Sequence, residues 1–152
     1  MARIALFLMM VTLAGCVATI SPETHAELRS KAGMIRDMEV EQSEMAKRGE
    51  APEAVLAMVE KARLKNAEVV GICADREKVP DYLVSICLSY QPHSYPRIAA
   101  MELTSARYFA TRGDRETARG LYRQIILDHP GFYWESLRQA ATFGLEDLDR
   151  RP

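Results

Sequence analysis

The sequence predicts an all-α protein, built either as stacked helical hairpins or as a small helical bundle of about six helices. Three observations carry this expectation. Apolar residues recur at helical spacing across residues 53–73. Helix-opening groups stand at Ser21-Pro22-Glu23 and at Pro52-Glu53, with Gly49 closing the first of the two helices. No stretch alternates apolar and polar residues for long enough to nominate a strand; the β-branched residues of 79–90 cluster in pairs instead. The 152 residues are 48% hydrophobic and 27% charged, which suits one domain with a core and excludes a disordered chain. Twenty basic side chains against 21 acidic ones leave no basic excess to neutralise phosphates, so no nucleic-acid partner is expected.

The first segment reads as an address. Arg3 precedes an uncharged apolar run through Gly15, too short to span a bilayer, which takes about 20 apolar residues. Leu13-Ala14-Gly15-Cys16 resembles a bacterial lipobox at all four positions. The resemblance implies a signal peptide over 1–15, cleavage between Gly15 and Cys16, and a diacylglycerol thioether on Cys16. A further acyl chain such as palmitate on the new N-terminus usually follows. Two or three chains hold a protein stably where one does so only marginally. Val17, in place of Asp, favours the outer membrane over inner-membrane retention. The competing readings are an ordinary secretory signal with a chance cysteine, or a small apolar core helix. Residues 16–21 would form a lipidated tether, in which the five residues after Cys16 reach at most about 17 Å.

The helical domain is expected over 22–152. Its first helix, capped by Ser21, runs to Arg48 with Leu28, Ile35, Met38 and Met45 as a narrow apolar stripe interrupted by Gln42. That stripe is either a surface helix packed along one edge or a partner-binding seam. The second helix opens at Pro52 and presents Val55, Leu56, Val59, Ala62, Ala67, Val70 and Cys73, with a weak break at Lys65-Asn66. Pro80 restarts the chain, and Leu83, Val84, Ile86, Cys87 and Tyr90 supply the next apolar face. Two prolines within Gln91-Pro92-His93-Ser94-Tyr95-Pro96 then predict a loop, framed by Tyr90 and Tyr95.

Cys73 and Cys87 flank a break expected at residues 76–80. In an oxidising periplasm, a hairpin closing there makes a structural disulfide the natural reading, with two buried thiols as the alternative. Their spacing is not that of a C-x-x-C redox pair. His25, His93 and His129 show no ligand spacing with either cysteine, so no metal is expected.

Residues 97–130 resemble a tetratricopeptide repeat through Ala106, Phe109, Gly113, Ala118, Tyr122 and Pro130. The resemblance implies a small residue and an aromatic on one helix packed against their counterparts on the next, with Gly113 at the turn. Trp134 and Leu137 match the opening of a following unit, placed on a capping helix over 133–148. Glu102, Ser105 and Arg138 depart from the motif. A fainter echo pairs Met45, Gly49, Ala54 and Met58 with Phe109, Gly113, Ala118 and Tyr122, leaving the cysteine hairpin as a middle unit. The alternative is a plain helical bundle.

Catalytic motifs are missing: there is no G-x-S-x-G, glycine-rich phosphate loop or H-E-x-x-H. No enzyme activity and no cofactor are therefore expected. Asp147 and Asp149 read as part of a solvated mixed-charge tail. Arg107, Arg112, Arg115, Arg119 and Arg123 read as the wet side of amphipathic helices or as a face for an acidic partner. The leading expectation is a lipid-anchored, periplasm-facing adaptor that binds another envelope protein and assists assembly of an outer-membrane or secretion complex. The alternative is an inhibitor or immunity-type lipoprotein that blocks an envelope enzyme through 91–96 or the arginine row.

Overall fold

A computed structural model describes residues 22–74 and 81–150. Gly15, Cys16 and the signal and tether segments lie outside these residues, as does the cap at Ser21. The described chain is all-α: five helices and one 3-10 turn, with no strand among the described residues. The helices are α1 (Pro22–Arg48), α2 (Pro52–Ala74), α3 (Asp81–Thr111), α4 (Arg115–Asp128) and α5 (Glu135–Arg150), with the 3-10 turn Phe132–Trp134 before α5.

The turns explain why the helices pack as they do. Gly49 (φ +75°) ends α1, its N–H donating to Ala46 O and the Glu50 N–H to Met45 O. Gly113 (φ +86°) ends α3 in the same way, with bonds from Gly113 N to Ala110 O and from Asp114 N to Phe109 O. Both satisfy the last carbonyls of a helix through a left-handed residue, a conformation open to glycine at little cost. Asp114 then caps α4, accepting from the Thr117 N–H at 3.0 Å. Each turn reverses the chain within a few residues, so the flanking helices lie antiparallel.

Cross-helix pairs fix the directions of the long helices. Lys31 meets Glu68 and Gln42 meets Val55, so α1 and α2 run antiparallel. Glu39 meets Arg97 and the Glu50 carbonyl meets the Tyr108 hydroxyl, so α1 and α3 run parallel. One core group joins Ile35, Met58, Val59, Ala62, Ile98 and Met101, and a second joins Ala106, Phe109, Ala118, Tyr122, Ile125, Ala141 and Leu148. Helix α3 serves both: its middle packs on α1 and α2, and its C-terminal part on α4 and α5. Gly144 lets α5 lie close against α4, since a Cβ there would lie 2.3 Å from the Tyr122 ring.

The structure corrects the sequence reading in three places. Residues 91–96 are not a loop, because α3 runs unbroken through Pro92 and Pro96. A proline removes one helical hydrogen bond and crowds the preceding turn. Here Ile98, Ala99 and Met101 are buried on one side and the Cys87 disulfide lies on the other, so both flanks are fixed. A separate middle hairpin is consequently absent, since α3 itself is the first helix of the 97–130 unit. Helix α2 also continues through Lys65-Asn66, and beyond Lys65 its buried residues are Asn66 and Val69 while Ala67 is exposed. Stepping 55, 58–59, 62, 66 and 69 follows the 3.6-residue period more closely than the expected series does.

Candidate functional site

Sulfur atoms of Cys73 and Cys87 are bonded, with Cα atoms 5.6 Å apart, tying the end of α2 to the start of α3. Ala106, Phe109, Ala118 and Tyr122 are brought into one buried cluster, on which Leu137 packs from α5. Burial also raises the Tyr122 phenol pKa above its ordinary value. Gly113 lies at the α3–α4 turn, Pro130 is exposed just beyond α4, and Trp134 closes the 3-10 turn. The arginine row does not form one open face. Arg115 donates to the Leu148 carbonyl and Arg119 to Asp149 at 2.7 Å, so Asp149 belongs to an ion pair holding α5 against α4.

Polar residues at the heart of the bundle were not assigned roles from sequence. Gln42 is 1% exposed, and its Nε2 donates toward Val55 O (3.0 Å), Met101 O (3.1 Å) and Ser105 Oγ (3.0 Å). One amide thus knots α1, α2 and α3 together. On α3, next to Met101, Glu102 is 7% exposed and shared: Oε1 accepts from Arg63 Nη2 and Oε2 from His129 Nε2, each at 2.7 Å. Partial burial lowers the Arg63 pKa, but the hydrogen bond and charge of Glu102, with help from Glu60, outweigh it and hold the guanidinium above its ordinary value.

Around this buried pair opens a cleft of about 660 Å³ between α2, α3 and the α4–α5 turn. Ala67, Val70 and Ile98 give it apolar wall, while Tyr95 and Trp134 give it aromatic wall. Its polar groups are Arg63, Asn66, Glu102, Asp128 and His129. His129 packs its ring on Trp134 with centroids 4.7 Å apart, and Trp134 meets Tyr133 edge-on at 4.9 Å. Arg138 fixes this turn from below, donating to the carbonyls of His129 (2.9 Å) and Gly131 (2.5 Å). Asn66 is 6% exposed, yet its Oδ1 has no hydrogen-bond partner among the described residues. A buried amide oxygen left unpaired costs on the order of 1–3 kcal/mol.

Beside the cleft, the α4–α5 hairpin shows an apolar surface. Leu127, Phe132, Tyr133 and Phe143 are 72%, 94%, 70% and 67% exposed, and Phe143 flanks a shallow groove with Ile126 between the two helices. The signals for these features were present but read otherwise. Glu102, Ser105 and Arg138 stood out only as departures from the repeat motif, and Asn66 only as a weak break. Searches of protein-family models, curated proteins and solved structures found no significant match to this chain.

Proposed function

We propose that this protein is an adaptor, anchored through lipid on Cys16 to the outer membrane and facing the periplasm, that binds another envelope protein at its C-terminal hairpin. The observation that carries the reading is the exposed apolar surface of Leu127, Phe132, Tyr133 and Phe143 on one hairpin and its turn. Four large apolar side chains, three of them aromatic, this exposed on one hairpin of a small domain are what a partner-binding surface supplies. The turn that presents them is held firmly by Arg138 and by the His129–Trp134–Tyr133 ring stack, so little order has to be gained on binding. Lipobox-directed anchoring supports the location and the resemblance to a tetratricopeptide unit supports the mode, in which stacked hairpins present surface to a partner.

The test is cross-linking in native envelopes followed by mass spectrometry of the captured complex. The expected result is one stoichiometric envelope partner, lost in a Phe143→Glu/Tyr133→Glu variant that remains folded, and lost from the membrane fraction in Cys16→Ala. Capture of no partner, or of the same partner by the double variant, would overturn the reading.

A further inference from the structure

The cleft beside the apolar surface has a chemistry of its own, and it is short of donors rather than acceptors. Arg63 is engaged within the protein, bonded to Glu60 and Glu102 at 2.7 Å each. Asn66 Oδ1, buried in the cleft wall, accepts nothing from the described residues. Asp128 takes an amide hydrogen from Gln124 Nε2 at 2.7 Å and forms no ion pair among the described residues. Tyr95 and Trp134 stand on the same cleft as these two acceptors. A buried acceptor, an unneutralised carboxylate and two aromatic rings around one opening complement a cation that carries N–H groups.

We propose that this cleft binds a cationic N–H donor, the lysine ammonium or arginine guanidinium of a partner polypeptide, with Asn66 and Asp128 as acceptors and Tyr95 and Trp134 as aromatic walls. The inference rests on the adaptor reading for its source, and it names the chemistry of the partner. The aromatic turn links the two surfaces, since Tyr133 belongs to the exposed apolar set and Trp134 to the cleft. A partner segment crossing the turn lays apolar side chains over Phe132, Tyr133 and Phe143 and sends one basic side chain into the cleft. Asn66 is then a binding residue retained at some expense of stability. Replacing an unpaired buried polar group by an apolar one of similar size leaves a fold as stable or makes it more so.

Trp134 is the sole tryptophan of the chain and reports the cleft directly. The experiment titrates the full-length protein in neutral detergent with three blocked tripeptides, Gly-Lys-Gly, Gly-Arg-Gly and Gly-Glu-Gly, and with spermidine, reading tryptophan fluorescence. Saturable change with the basic tripeptides but not the acidic one is expected. Asn66→Leu should weaken it at least about tenfold with an unchanged or higher Tm, because the buried acceptor is lost. Asp128→Asn, at an exposed site that leaves the fold intact, should weaken it about threefold. Response to spermidine alone assigns the site to free polyamines and overturns the polypeptide partner. Equal response to the acidic tripeptide, no response, or full binding by both variants overturns the site. Envelope capture undiminished in both variants would leave the adaptor standing and remove this inference, whereas basic-tripeptide binding without any captured partner would do the reverse.

Discussion

Gln42 shows how much a single side chain decides here. It interrupts the apolar stripe of α1, and from sequence it reads as a flaw in that stripe. In the folded protein its amide nitrogen reaches two carbonyls and a hydroxyl on α2 and α3. The two carbonyls can only accept, so they call for a donor. Gln42→Met should therefore destabilise by about 1–2 kcal/mol, through lost hydrogen bonds with volume kept. Gln42→Glu should cost more, about 3 kcal/mol or above, because a buried carboxylate would face two carbonyl oxygens. Urea unfolding of both variants checks the order. Glu68 makes a pH-dependent counterpart on the surface. Hydrogen bonds from Lys31 and Lys65 lower its pKa from 4.5 to about 2. A carboxylate lowered on folding stabilises fully above its ordinary value and loses that contribution as pH falls toward 2. Stability should thus decline between about pH 4.5 and 2, and Glu68→Gln should flatten that part of the profile in thermal melts. At this scale apolar core positions such as Val55, Val59, Ala62, Phe109 and Tyr122 were legible. Buried polar ones were not, since a pattern of hydrophobicity says nothing of which partner awaits an amide or a carboxylate across the bundle.

Among the elements, α1 ends where Gly49 leads one to expect, because local chemistry sets a helix end. Helix α3 did not follow its local chemistry. Two prolines four residues apart argue for a loop, and the chain remains helical through both. Tertiary fixing of the two flanks outweighs the local penalty, a term that no window of six residues contains. Because Pro96 is half-buried and lacks the N–H that would bond to residue 92, Pro96→Ala restores a helical hydrogen bond in the middle of α3. The expected effect is a gain of about 1–2 kcal/mol, smaller than the full proline penalty because the unfolded chain gains freedom as well. Differential scanning calorimetry would show it as a higher Tm. A lower Tm would mean that the ring of Pro96 packs more usefully than the bond it displaces.

For the whole molecule, α3 makes two packing groups into one body. Its middle completes the core with α1 and α2, and its end completes the core with α4 and α5, so the two halves are expected to unfold together. The Cys73–Cys87 bond clamps the first half, across a sequence separation of 14. Closing a loop of that size stabilises by about 3 kcal/mol. The Cys73→Ser/Cys87→Ser variant should accordingly lose about 3 kcal/mol. Through α3 the loss should appear as one shifted transition monitored by both circular dichroism and Trp134 fluorescence. Two separated transitions would show that the halves are independent. The all-α class was legible from periodicity alone. The sharing of one helix between two cores was not, because it depends on a continuity that the prolines of α3 conceal.

The parallel course of α1 and α3 also sets a length. Pairs such as Glu39–Arg97 and Glu50–Tyr108 hold a constant offset of 58 residues, which places the start of α1 level with the start of α3. Glu102, at the floor of the cleft, lies some twenty residues along from there, or about 30 Å at 1.5 Å per residue. Adding a tether of at most about 17 Å gives a leash of roughly 50 Å. With the anchor proposed at Cys16, the cleft would stand no further than that from the bilayer, and a partner would have to come within that height before its basic side chain could reach it.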